Sequence, residues 1–283
     1  NMQFFLNRIK ILFMQNIMNI KLNTKHTEFG QRFSDLGVRY FINKDSDFND
    51  IKLPNHSASE VNLSDKANNF CLNKMQEMGI DKNDNYVCLH VRDNQYRNDA
   101  GRRECRNSDI NNYKQAILYL LEKNYWVIRL GQSSNKKVDI SHPKFIDYPF
   151  SKFKNLCLDL FLIKNCAFMI CTQSGLLALG YLFDKPILLT NKVRFFESFS
   201  SNHLSRTISK KPFWKKNKQS INLEDYVKLK YDYHHMDFIN DEIGFKENDP
   251  NEILDAVKEI LDNVEKKFSV TLSDNQVIFN KIL

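Results

Sequence analysis

The chain has 283 residues, with 41 Lys and Arg against 34 Asp and Glu, a net charge of +7. At 42% hydrophobic and 12% aromatic it can bury a real core, and with only 8 Gly and 6 Pro it is neither disordered nor fibrous. The positive excess is mild for a nucleic-acid binder and suits a basic cleft for an anionic small molecule such as a nucleotide.

The chain opens on residues 1–23, apolar and basic but broken by Asn, Arg and Lys. No stretch reaches the roughly 18 to 20 apolar residues that a membrane span needs. The opening lacks the continuous apolar segment and small-residue cleavage site of a signal peptide. It reads as an amphipathic packing helix, with a membrane-surface helix as the alternative and peripheral membrane contact as its consequence. Because the first residue is Asn1, the natural start is expected upstream or removed. A strand-like run follows at 36–42, then a linker at 43–64 rich in Asp, Asn, Ser and Lys, with Pro54.

From residue 64 the pattern becomes regular. Ser64 and Asp65 cap a predicted helix to about Met78, stopped by Gly79. Residues 86–91, YVCLHV, form a nearly continuous apolar run, as parallel strands buried on both faces do. An arginine-rich loop precedes a helix capped by Asp109, with Ile110, Tyr113, Ile117, Leu120 and Leu121 on one face. Strands are predicted at 125–130, 144–146, 167–171 and from 186, with helices at 155–164 and 176–183. A long polar and aromatic region, which includes a basic run at 210–216 read as a solvated loop, leads to a last helix from Pro250 to about Lys267. The alternation predicts an α/β fold: a Rossmann-like parallel sheet with helices on both faces. Residues 64–283 are assigned to this domain and 1–63 to an N-terminal segment.

The cysteines are Cys71, Cys88, Cys105, Cys157, Cys166 and Cys171. A chain this long needs no disulfide staple, and no CxxC pair occurs. The expectation is free thiols, a reducing compartment and a cytoplasmic location.

Ligands of such sheets bind at the carboxyl ends of the strands. One candidate there is His90 and Arg92, which share a strand face, followed by Asp93 and by Arg97, Arg102, Arg103 and Arg106. A guanidinium at a strand end offers five donors in fixed geometry to a phosphate. A second candidate is Thr172, Gln173, Ser174 and Gly175, between a strand and a helix, where hydroxyls and free N–H groups make an anion site. A structural Arg–Asp pair, a core histidine and a plain N-cap are the simpler readings. GxGxxG, Walker A, HExxH and GxSxG motifs are absent, and His234–His235 lacks companions that specify a metal.

At these residues the chain resembles a known family. YVCLHVRD, RNSDINNYKQAILYLLEKNYWVIRLG and LDLFLIKNCAFMICTQSGLLALGYLFDKPILLTN look like bacterial glycosyltransferases similar to the fucosyltransferase-like branch of the glycosyltransferase-B fold. His90-x-Arg92 resembles the motif shared by α1,6-fucosyltransferases and protein O-fucosyltransferases, and the stretch from Asp159 to Gly175 resembles their donor-diphosphate segment. The closing FKENDPNEILDAVKEIL resembles the last helix of many glycosyltransferase-B enzymes.

The resemblance covers about residues 64 to 268 and implies the carboxyl-terminal, donor-binding half of such an enzyme. It implies a nucleotide-sugar donor, an acceptor on a glycan, lipid or protein, no metal or other cofactor, inversion at the anomeric carbon, and no nucleic-acid partner. His90, Gly131, Gln132, Thr172, Gln173, Ser174 and Gly175 become donor-binding candidates, and Arg92 and Asp93 catalytic ones. A GDP-sugar is favoured, but the family carries a second basic residue where this chain has Asp93, which leaves the nucleotide open. Two other readings stay open: a nucleotide-sugar hydrolase or epimerase-like enzyme, and a non-catalytic nucleotide-sugar-binding module. About sixty residues before Ser64 are too few for a second Rossmann-like domain, so residues 1–63 are expected to be the remnant or linker of an acceptor-side domain, in a fragment whose acceptor domain lies upstream or in a reduced form that borrows its acceptor site.

Overall fold

The computed structural model describes residues 62–93, 104–132, 136–193, 202–222, 225–226 and 242–266. The expected amino-terminal helix, the strand at 36–42, most of the linker, Arg97, Arg102, Arg103 and His234–His235 lie outside the described residues.

Helix α1 (Asp65–Glu77) starts where the Ser64 hydroxyl accepts the Ala67 N–H at 3.3 Å. It stops at Gly79, whose φ of +84° suits a residue without Cβ. Five apolar or largely apolar strands follow: β1 (Tyr86–His90), β2 (Trp126–Arg129), β3 (Phe145–Asp147), β4 (Phe168–Cys171) and β5 (Ile187–Lys192). Between them lie α2 (Lys114–Glu122), α3 (Leu156–Asn165) and α4 (Leu177–Leu182). Asp109 caps the 3₁₀ turn Ile110–Tyr113 that runs into α2, and Asn155 caps α3 by accepting the Cys157 N–H. The closing helix is α5 (Pro250–Lys266).

A sixth strand, β6 (Arg206–Ser209), completes a sheet with the order β3-β2-β1-β4-β5-β6. Every pairing in it is parallel. This is the Rossmann-like order, with helices on both faces. Side-chain parity separates the two layers. Val87, Leu89, Val127, Phe168, Ile170 and Leu188 pack toward α2 and α5. Cys88, Ile128, Met169, Ile187 and Leu189 pack toward α1, α3 and α4. Strands flanked on both sides have no polar face, which is why they read as unbroken apolar runs.

Sequence reasoning missed two features. β6 is an edge strand whose Arg206, Thr207, Ile208 and Ser209 are only partly covered, so it carries no apolar run. The basic run at 210–216 is not a solvated loop. It forms β7 (Lys211–Trp214), paired antiparallel with β8 (Ile243–Lys246) in a separate ribbon. The ring of Phe213 lies over Gly244, where an added Cβ would sit 2.2 Å from it. Lys210, at the head of that run, is buried at 4% exposure.

Candidate functional site

The strand order reverses direction between β1 and β4, and that switch point is where an open parallel sheet leaves a crevice beyond its carboxyl ends. His90 ends β1 and is paired in register with Cys171, which ends β4. Both sequence-selected segments therefore emerge side by side at the switch point. They are also bonded to each other. The Thr172 N–H donates to the His90 carbonyl at 3.1 Å, and the Arg92 N–H donates to the Thr172 hydroxyl oxygen at 2.8 Å.

The buried polar groups point to the same end. Ten polar or charged side chains are buried among the described residues: Ser108, Arg129, Asp159, Thr172, Gln173, Thr190, Asn191, Lys192, Lys210 and Asn248. Arg129, Thr190, Asn191 and Lys192 lie at the carboxyl ends of β2 and β5. Thr172, Gln173 and Lys210 follow β4 and β6 directly. Ser108 donates its N–H to the Arg92 carbonyl, and Asn248 is bonded to Asn191 and Ser209. Asp159 sits in the first turn of α3. The amino ends of β1, β2, β3, β4 and β5 carry Tyr86, Trp126, Phe145, Phe168 and Ile187. Buried polar groups cost free energy unless bonded, so their concentration on one rim marks where the protein maintains polar structure.

The individual candidates occupy distinct environments. Arg92 is half-buried and donates from Nε to the Asn107 side-chain oxygen at 3.0 Å. Asp93 is half-buried, and its carboxylate accepts the Lys136 N–H at 3.4 Å. The Thr172 hydroxyl is buried and joins the two loops. The buried Gln173 carboxamide oxygen accepts the Val193 N–H at 3.0 Å, which ties the β4 loop to the end of β5. Ser174 is half-buried and Gly175 exposed, and a Cβ at Gly175 would meet nothing within 4 Å. The N–H groups of Ser174 and Gly175 reach no acceptor among the described residues. Helix α4 is only six residues long, so its dipole adds little at this turn.

Gly131 lies two residues beyond β2 with φ +152°, so its conformation accounts for the glycine, and it is buried. Gln132 beside it is exposed. His90 places Nδ1 3.2 Å from the Leu130 carbonyl oxygen. A carbonyl only accepts, so a neutral His90 donates from Nδ1 and keeps its lone pair on Nε2. Burial pushes its pKa down to about 4, and the Arg129 guanidinium pushes the same way, against the Leu130 carbonyl and Asp93. His90 is therefore neutral at pH 7.

Several members of the rim were not selected from the sequence. Tyr113 bonds Thr190 at 2.6 Å and accepts from Asn191 at 3.0 Å. Asn191, at φ +53°, exchanges reciprocal bonds with Asn248 of 2.7 and 2.8 Å. Asn tolerates this left-handed conformation, and its place at the polar end of an otherwise apolar strand was the available signal. Asn107 and Lys210 had none, because their partners are remote in the chain.

All six cysteines are free, and all but Cys105 are buried. Among the described residues no group of three or more His, Cys, Asp or Glu could hold a metal ion. No described helix is long and apolar enough to cross a membrane.

No protein-family model and no curated protein matches the chain. Among solved structures it is similar to the E. coli ADP-heptose LPS heptosyltransferase II, with TM-score 0.43 and 10% identity over 72% of this chain and 54% of that one. It is also similar to the dodecameric iron-containing heptosyltransferase TibC in complex with ADP-D-β-D-heptose, with TM-score 0.35 and 12% identity over 65% and 46% of the two chains. TibC from enterotoxigenic E. coli H10407 gives TM-score 0.35 and 12% identity over 66% and 48%. The chain spans about half the length of these structures. Its own strand order and register establish the architecture as a Rossmann-like parallel α/β sheet.

Proposed function

We propose that this chain is the donor-binding part of a glycosyltransferase that moves a sugar from a nucleotide-sugar to an acceptor hydroxyl. The observation that carries the reading is the joining of the Arg92 and Thr172–Gly175 segments at the switch point of a parallel sheet. Departure of a nucleoside diphosphate develops negative charge on the leaving oxygens. Fixed cations and oriented N–H groups stabilise that charge without reorganising during the reaction. In this reading Arg92 supplies the cation, and the Ser174 and Gly175 N–H groups supply the donors. Thr172 and Gln173 hold both loops in place around the donor.

Neutral His90 offers Nε2 as an acceptor for a donor hydroxyl, and Gly131 and Gln132 flank the nucleoside. Asp93 is the candidate base for the acceptor hydroxyl, which attacks the anomeric carbon from the face opposite the diphosphate and inverts it. With these groups in place the chemistry needs no metal. The resemblance to fucosyltransferases favours GDP as the nucleotide, the departure at Asp93 keeps UDP in view, and CMP, which carries a single phosphate, serves as the contrast.

A thermal-shift panel of GDP, UDP, CMP and their sugars tests the reading. One nucleotide is expected to stabilise the protein selectively, by about 2.7 kcal/mol at 100 times its dissociation constant. Arg92→Ala is expected to remove that stabilisation with the fold intact. Unchanged nucleotide affinity in Arg92→Ala by calorimetry would show that Arg92 does not bind the phosphates.

A further inference from the structure

The direction of the Arg92 side chain is set by a chain of contacts that ends on the far edge of the sheet. Arg92 Nε donates to the Asn107 side-chain oxygen at 3.0 Å. The Arg92 carbonyl accepts the N–H of Ser108, the next residue, at 2.9 Å. Asn107 is itself gripped, because its carbonyl accepts from Lys210 Nζ at 2.5 Å. Lys210 directly follows β6, and its N–H donates to the Lys192 carbonyl on β5 at 2.9 Å. Its ammonium also lies 3.6 Å from Glu247, and its side chain is 3% exposed. Glu247 in turn accepts from the Asp109 N–H at 2.9 Å and the Asn112 side chain at 3.2 Å.

A lysine ammonium buried this deeply is costly, and burial lowers its pKa while Glu247 raises it. A neutral long side chain would fill the same space without that cost. What the ammonium adds is a charge-assisted bond to the Asn107 carbonyl, beside its ion pair with Glu247. Asn107 is also the residue whose side chain fixes Arg92. With Nε committed, the plane of the guanidinium is set, and so is the direction of its two terminal nitrogens.

Resting on the function proposed above, we infer that Asn107 and Lys210 are positioning residues: Lys210 holds Asn107, and Asn107 aims Arg92 at the diphosphate of the donor. Neither touches the ligand. Placement of a fixed cation matters because displacement of about 1 Å at a reacting group is enough to lower a rate a hundredfold.

The test is a double-mutant cycle on the full chain. GDP, UDP and ADP are titrated by calorimetry, and the tightest of the three is used throughout, with its parent nucleoside as control. Asn107→Ala and Lys210→Met are each expected to weaken diphosphate binding about five- to tenfold, the size of one lost hydrogen bond, and to leave nucleoside binding unchanged. In an Arg92→Ala background both effects are expected to vanish, which a merely structural role would not produce. Should Lys210→Met fail to fold, Asn107→Ala, at a half-buried position, carries the cycle alone.

Two outcomes overturn the inference while leaving the proposed function standing. In one, Arg92→Ala weakens binding but folded Asn107→Ala and Lys210→Met do not. In the other, their effects persist in full without Arg92. If Arg92→Ala itself leaves diphosphate binding unchanged, the phosphate role of Arg92 fails, and the inference fails with it.

Discussion

Arg129→Met tests how the polar rim is held together. Arg129 is the last residue of β2, is 1% exposed, and stands in register with Asp147 on β3. Its Nη1 contacts both Asp147 oxygens, at 2.9 and 3.1 Å, and one of those oxygens also accepts the Val138 N–H at 3.2 Å. Removing one partner of a buried ion pair costs about 3 to 5 kcal/mol, because the remaining charge stays in a poor solvent. Asp147 retains 17% exposure and one backbone donor, so the lower end applies, about 3 kcal/mol. Urea denaturation reads this as a lower midpoint with an unchanged slope. The double variant Arg129→Met/Asp147→Leu leaves no orphaned charge and is expected to be more stable than Arg129→Met alone.

The same substitution has a second readout at the site. Arg129 is one of the groups that depress the His90 pKa, second to burial among the lowering influences. Its removal is expected to raise that pKa while leaving it below 6.5, which an NMR titration of the imidazole measures. A loss under about 1 kcal/mol, or a His90 pKa that stays put, would refute the reasoning that this pair is the electrostatic anchor of the β2 end.

The rim and the core each carry one further prediction. His90 titrates near 4 in the folded protein against 6.5 unfolded, so between those values the unfolded chain binds more protons and stability falls as pH drops. The ceiling on that loss is about 3 kcal/mol, and urea midpoints from about pH 7 to pH 4 should flatten in His90→Gln. Of the six cysteines only Cys105 is partly exposed, and burial raises the Cys71 thiol against its neighbour Cys157, 3.5 Å away. A thiol reagent should therefore titrate one cysteine in the native protein and six after denaturation, and rapid native reaction of more than one would contradict the buried placement.

The parts legible in the sequence are those whose signal is local. The apolar runs at β1, β2, β4 and β5 announce strands covered on both faces, and Ser64 and Asp109 announce helix starts that the structure caps as expected. The adjacency of the two candidate segments was legible too, because it follows from strand ends: once 86–91 and 167–171 are neighbouring parallel strands, His90, Arg92 and the 172–175 segment share one rim. The edge strand β6 was not legible, since an edge lacks the two-sided cover that writes an apolar run. Nor was the ribbon of β7 and β8, whose two strands are far apart in the chain and whose lysines read as a solvated loop.

Lys210 shows why the rest of the site was out of reach. Its sequence neighbours give no hint of its burial: Ser209 closes an edge strand and is half-buried, and Lys211 is exposed and ion-paired with Glu252. Nothing local distinguishes Lys210 from Lys211. The difference is imposed by a bond across 103 residues, from Lys210 to the Asn107 carbonyl. Local pattern can report which face of an element is apolar, but a buried charge is defined by its partner, and the partner becomes visible only when the sheet brings β1 and β6 to the same rim. The two kinds of information meet at Arg92. Its position beyond the end of β1 is written in the buried and half-buried residues of that strand, and the direction of its guanidinium is written in Asn107 and Lys210, which no spacing rule connects to it.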